Sequence, residues 1–282
     1  MTGRIVRVSA LLALGAIAGA LVGGGPAAAT ALKAPSADPA ACAKCHPRAA
    51  KEVAPTKHET ALQSVQKTAG AGDACLKCHS TDYLLAPEGR KPSVKTARFG
   101  VTCTACHFDH QAKEGIDDRR PPLCEDCHSG GQMQLGQAPH HPQNEMMLGT
   151  SPPVTGVPKM PSMFGKKDCN GCHMPVIDGK RYHDFSVLMP DKQDYSCGIR
   201  GCHEGQGAKY TKLARDWRAQ TAKALAEVKA LLEAKKAKSQ SEAYKVALFN
   251  CQFVESDRSQ GVHNFPFAMK LLEVAKAKLA AL

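Results

Sequence analysis

Cys103-Thr104-Ala105-Cys106-His107 is followed, 21 residues on from its first cysteine, by Cys124-Glu125-Asp126-Cys127-His128. Each unit reads C-x-x-C-H, the spacing at which two thiols and one imidazole serve a single c-type haem. On a helical turn, residues i, i+3 and i+4 share a face. Two cysteines can therefore bond the two vinyl groups of one porphyrin while the histidine reaches its iron. The short interval between these units implies that their haems lie close together.

The unit recurs as Cys42-Ala43-Lys44-Cys45-His46, as Cys75-Leu76-Lys77-Cys78-His79 and as Cys169-Asn170-Gly171-Cys172-His173. A sixth copy, Cys197-Gly198-Ile199-Arg200-Gly201-Cys202-His203, has four residues between its cysteines. That spacer can bulge outward without moving either sulfur far. Zinc clusters, a thioredoxin-like pair and a disulfide framework are the competing uses of paired cysteines. None of them requires a histidine directly after every second cysteine. Six covalently bound haems, and so six irons, are the expected cofactors.

Six motifs use twelve of the 13 cysteines in the 282 residues, which leaves Cys251. One haem for roughly every 40 residues implies that macrocycles take the place of a side-chain core, with thioether staples acting as disulfides do in small secreted domains. The apoprotein is then expected to be largely unfolded. The net charge of +11 invites a nucleic-acid partner. The lysines and arginines are scattered, however, and six haems bring about a dozen propionate charges for them to neutralise. No nucleic-acid role is expected.

Residues 1–31 have the pattern of a Sec-type signal peptide. Arg4 and Arg7 precede an apolar run from Val8 to Val22, and Ala27-Ala28-Ala29 and Ala29-Thr30-Ala31 offer cleavage near 29 or 31. An uncleaved anchor is the rival, disfavoured by the short, Gly- and Ala-rich run. No stable membrane span is expected after cleavage, and export to the periplasm or cell exterior suits c-type haem chemistry. Residues 32–138 hold motifs 1–4, 139–168 form a Pro-rich loop, 169–208 hold motifs 5 and 6, and 209–282 form C-terminal helices. Leu213, Trp217, Leu225, Val228 and Leu232 recur at helical spacing. Ser241 is the expected cap of a second helix, and Pro266 belongs in the first turn of a third. The helices are expected to cover the last haems; a homodimer contact along the first is the alternative. The Pro-rich loop is expected to wrap the haems or separate two groups of them. With almost no alternating strand pattern, the fold class is mainly α with extensive loops, organised around six haems.

Twelve histidines are present. His46, His79, His107, His128, His173 and His203 belong to the motifs; His58, His110, His140, His141, His183 and His263 match them in number and are the candidate distal iron ligands. The tandem His140-His141 can serve two haems if an extended backbone points the rings to opposite faces. Should one of them not bind iron, one haem is left open. Met133, Met146, Met147, Met160, Met163, Met174, Met189 and Met269 are the other sixth-ligand candidates, though gap filling is the usual methionine role. Cys251 reads as a buried, inert thiol.

Taken together, the chain resembles the multihaem cytochrome c superfamily, which includes ammonia-forming nitrite reductases, hydroxylamine oxidoreductases and octahaem reductases. Cys172-His173-Met174-Pro175 followed by His183-Asp184-Phe185, and Gly261-Val262-His263-Asn264 before the last helix, carry the likeness over about 120 C-terminal residues. It implies that His183 and His263 tie later chain back to earlier haems. The first four motifs are similar to those of cytochrome c3 and other small multihaem cytochromes. No motif has the lysine that nitrite reductases place at their substrate haem, and no tyrosine matches the hydroxylamine oxidoreductase crosslink. Electron transfer in anaerobic respiration is therefore favoured over reduction or oxidation of a nitrogen or sulfur oxyanion at one open haem. A subunit of an extracellular cytochrome filament is a third alternative. The implied partners are redox proteins: a quinol-oxidising membrane cytochrome, a terminal reductase or an outer-membrane cytochrome.

Overall fold

The computed structural model describes residues 36–107, 123–131, 133–164, 169–177, 179–185, 187, 197–198 and 203–282. The signal peptide, His110, Met189 and Cys202 lie outside these residues.

The N-terminal part is a succession of one- and two-turn helices: α1 (Pro39–Ala43), α2 (Pro47–Val53), α3 (Ala61–Gln66), α4 (Leu76–His79), α5 (Thr81–Leu85), α6 (Cys103–Cys106) and α7 (Leu123–Cys127). Helices this short have little stability in isolation. Their apolar support is slight too: among the described residues there, Leu62, Val65, Leu76 and Ala97 form one small buried cluster. Segments between them are tied by side chains. The Asp73 carboxylate accepts the Val94 amide at 2.7 Å, and Thr81 Oγ1 accepts the Thr102 amide at 2.8 Å.

The C-terminal part is different. Helices α10 (Gly207–Ala234), α11 (Glu242–Asp257) and α12 (Phe265–Ala280) pack on one another around Phe249, Phe253, Phe267, Leu271, Leu272 and Leu279, all essentially inaccessible to water. Burying each such side chain contributes about 1.5–3 kcal/mol. The Phe253 and Phe267 rings meet edge to face at 6.2 Å. Ser241 Oγ accepts the Tyr244 amide at the start of α11, and Asn264 Oδ1 accepts the Phe267 amide ahead of Pro266 at the start of α12. The expectation that macrocycles replace the core is thus corrected here. Helices α11 and α12 carry enough contiguous apolar surface to bury each other, so this half has an ordinary side-chain core.

That core also claims the Pro-rich stretch. Helix α8 (Gln143–Leu148) and the 3-10 turn Pro153–Thr155 interrupt it, and Met146 and Val157 are buried against the C-terminal helices. Asn250, buried within α11, donates its amide to Thr155 O at 3.0 Å and Leu271 O at 3.3 Å. The described part of the stretch is therefore clamped by side-chain amides onto the helices. Helix α9 (Cys169–His173) precedes a hairpin of β1 (Val176–Ile177) and β2 (Lys180–Arg181), antiparallel with Val176 opposite Arg181. Among the described residues, no helix is long and apolar enough to cross a membrane.

Candidate haem-binding centre

Local folding brings the motif residues to one face. The His46, His107 and His128 amides donate to the carbonyls of the first cysteine in their motifs, Cys42, Cys103 and Cys124, at 2.9, 2.9 and 2.8 Å. Each motif is thereby one closed helical turn. In the sixth motif the His203 amide reaches Cys197 O at 3.3 Å, so the same closure spans two extra residues. Residues 199–202, which would form the bulge, lie outside the described set.

Sulfurs of different motifs meet. The Cys78 thiol donates to Asp126 O at 3.9 Å, and the adjoining Cys127 is the main cause lowering Cys78 to about 7, while Cys127 is itself pushed up. Cys42 and Cys103 are in similar contact; burial first, then Cys42, raises Cys103 to about 11. Motif 2 therefore adjoins motif 4, and motif 1 adjoins motif 3.

The histidines form pairs across chain segments. Two imidazole nitrogens sharing one metal lie about 2 Å from it on opposite sides, which puts the ring centroids about 6 Å apart. His107 and His183 are 6.3 Å apart, His173 and His263 6.1 Å, His79 and His140 6.1 Å, and His58 and His128 5.9 Å. Each pair joins a motif histidine to a candidate distal one. His58 is placed by the chain entering motif 3. The Val101 amide donates to His58 O at 2.8 Å, and a side chain on Gly100 would collide with the Glu59 and His58 carbonyls. Glu52, at the end of α2, places His183 by accepting its amide at 2.9 Å.

The tandem does not meet the extended-backbone condition. His141 has φ +51, a left-handed conformation that costs a non-glycine residue energy. It turns the chain just before Pro142, so the two rings lie 4.2 Å apart on the same side instead of on opposite faces. The ligating nitrogens of His79, His140 and His141 all lie within 4.8 Å of one another, and His141 is also 5.5 Å from His128. His79 and His128 thus share three candidates: His58, His140 and His141.

Tautomers are set for metal binding through Nε2. His79 Nδ1 faces Ala61 O at 3.2 Å, His173 Nδ1 faces Phe185 O at 3.2 Å, and His263 Nδ1 faces Asp257 Oδ1 at 2.6 Å. These oxygens accept, so each Nδ1 carries the proton. His128 Nδ1 faces Gln143 Oε1 at 3.3 Å, with the amide's orientation fixed because Nε2 donates to Ser256 O and Asp257 O. Such outer partners orient imidazole ligands and leave the other nitrogen for the metal. Burial, ahead of all other causes, lowers His58 and His141 to about 4 and pulls His128, His140, His173 and His183 down as well. Neutral imidazole is the form that binds iron. His263 is the exception: burial lowers it, but Asp257 outweighs burial and raises it.

His203 stacks on Tyr210 in the first turns of α10, with the rings near parallel. Met146 is core, Met133, Met160 and Met269 pack against it, and Met163 is largely exposed; gap filling accounts for the buried ones. Glu52, Gln143, Asp257 and the Arg258 that lies near His128, His140 and His141 were not apparent as site residues. A carboxylate six positions before a histidine has no recognised signature, and backbone acceptors have none at all.

Paired thiols on helical turns, and tautomer-locked imidazoles facing one another at a metal's breadth, fit covalently attached haem and define a multihaem c-type cytochrome. Residues 61–129 match the family model for cytochrome c7 and related cytochrome c, and the chain is similar in fold to solved multihaem cytochromes. One is the outer cell wall cytochrome OcwA, 37% identical with a TM-score of 0.73 over 81% of this chain and 49% of that one. Another is the undecahaem cytochrome from the S-layer of Carboxydothermus ferrireducens, 25% identical with a TM-score of 0.69 over 87% of this chain and 46% of that one. The chain therefore spans about half the length of either protein. None of the curated protein sequences matches it significantly.

Proposed function

We propose that the chain is an exported hexahaem cytochrome that passes electrons between redox proteins outside the cytoplasmic membrane. The observation that carries this is the set of histidine pairs at 5.9–6.3 Å, each closing a motif from a distant part of the chain. Haem iron supplies a one-electron couple, and the protein sets its potential through ligand, burial and hydrogen bonds. The residues of this chain hold the sites close, and burial favours the neutral form of His58, His128, His140, His141, His173 and His183. Contacts of Cys42 with Cys103 and of Cys78 with Cys127, together with proximity of Cys106 to Cys127, support a route running from motif 1 through motifs 3 and 4, with motif 2 branching from motif 4. His58 lies near both His128 and His173, which extends the route to motif 5.

Export is supported by the apolar run at residues 8–22 and by the wall and S-layer origin in the names of the two solved cytochromes. Those names favour the cell exterior over the periplasm. Mass spectrometry and EPR of protein matured in an expression host with c-type haem machinery test the proposal. Six covalent haem increments and predominantly low-spin iron are expected. A mass lacking those increments, or signals dominated by high-spin iron, would overturn it.

A further inference from the structure

Among the hydrogen bonds made by the ring Nδ1 atoms of the described candidate ligands, one differs in kind. His79, His128 and His173 face neutral oxygens, whereas His263 faces a carboxylate whose side chain is wholly buried. Asp257 Oδ1 lies 2.6 Å from Nδ1. Its Oδ2 accepts the Ser259 amide at 3.3 Å and also the Ser259 hydroxyl, while Ser259 Oγ accepts the His263 amide at 3.2 Å. The closed ring of Asp257, Ser259 and His263 leaves the carboxylate little freedom. It also sits at the end of α11, anchored in the helical core.

We propose that Asp257 is a positioning residue that makes the site of Cys169, Cys172, His173 and His263 the lowest-potential one among the four described histidine pairs. This rests on the haem-ligand role of His263 given above. A buried negative charge behind an imidazole pulls on its Nδ1 proton and makes Nε2 a stronger donor. Stronger donation stabilises ferric over ferrous iron. Little solvent lies between the groups to screen the effect. Neutral carbonyls and the Gln143 amide do much less for His79, His173 and His128, and the Glu52 carboxylate stands 3.7 Å from His183 Nδ1, beyond hydrogen-bond reach. The motif 5 site then gives up electrons most readily and holds them least.

Redox titration of the holoprotein, followed optically and by EPR, tests the idea. Asp257→Asn keeps the shape and removes the charge; it should move one haem at least tenfold toward reduction, about 59 mV for a one-electron couple, with the low-spin count unchanged. Ser259→Ala takes a competing donor from the carboxylate and should move the same haem the other way. No change in either variant, or loss of a low-spin signal in Asp257→Asn, would overturn the tuning role. His263→Ala tests the underlying ligand assignment separately: an unchanged low-spin count there means that His263 does not bind iron, so that both assignments fall.

Discussion

Glu52 receives the backbone N–H of His183 at 2.9 Å although 131 residues separate them. Arg48 completes the clip, donating to Glu52 Oε1 at 2.7 Å and to Arg181 O at 2.8 Å. The helix after motif 1 thus holds the loop that presents His183 to His107 in motif 3. Glu52→Ala removes a charge-assisted acceptor from a mostly buried position, which costs about 2 kcal/mol. We expect one low-spin haem to become wholly or partly high-spin, with Glu52→Gln recovering most of the loss. EPR of the oxidised variants reads both. An unaltered spectrum in Glu52→Ala would mean that the clip does not hold His183.

Acid should weaken the fold over a defined range. His58 and His141, lowered to about 4 chiefly by burial, bind protons less readily folded than unfolded. As pH falls below about 6.5, the unfolded chain takes up protons first. Stability contributed by keeping these rings neutral is present above that value and is lost on the way down to about 4. Urea midpoints should fall as the pH drops from about 6.5 to about 4. A midpoint that holds level down to pH 4 contradicts the burial of these two rings.

Cysteine reactivity counts the attached haems. Burial, ahead of the nearby Glu255, raises the Cys251 thiol to about 11, so in the native protein it should resist alkylation at mildly alkaline pH. Unfolding the holoprotein should expose one reactive thiol. Two further thiols would appear if the Cys197–Cys202 motif were left unmodified, because twelve of the 13 cysteines lie in motifs. Intact-mass labelling before and after denaturation distinguishes these outcomes.

The motifs and the helical class were legible in the sequence because both follow from short-range spacing. Ser241 and Pro266 mark helix starts for the same reason. The buried stripe of α10 was legible only in part. Val228 and Leu232 are buried as their spacing implies, but Ala214, Thr221 and Ala224 take the inner positions while Leu213 and Trp217 lie at the flank. Small residues let the helix approach closely: a side chain on Gly261 would collide with Thr221 Oγ1. Close approach depends on what lies opposite, which periodicity does not report. The arrangement of the tandem histidines was not legible for a related reason. Alternation assumes extended backbone, and the left-handed turn at His141 removes it. Partnerships such as Glu52 with His183 leave no trace in the sequence because nothing local requires them.

Two glycines separate backbone strain from packing. Gly149 ends α8 in the left-handed region, φ +62, with the Thr150 amide donating back to Glu145 O at 2.9 Å. A Cβ there would lie 1.8 Å from Met160 O and 2.9 Å from Asn264 Nδ2. The clash falls on the contact in which Asn264, the residue after His263, donates to Met160 O at 2.6 Å. A Cβ on Gly156, φ +69, would meet only Val274 Cγ1 among the described residues, at an ordinary contact distance of 3.7 Å. Gly156→Ala should therefore cost about 1 kcal/mol, from the left-handed backbone alone. Gly149→Ala adds displacement of Met160, for a total of about 3 kcal/mol or more, and by loosening Asn264 it should raise the high-spin fraction at the His263 site. Thermal unfolding followed at 222 nm, with EPR on the same samples, measures both effects. Equal destabilisation by the two variants would refute the packing role of the Gly149–Met160 contact.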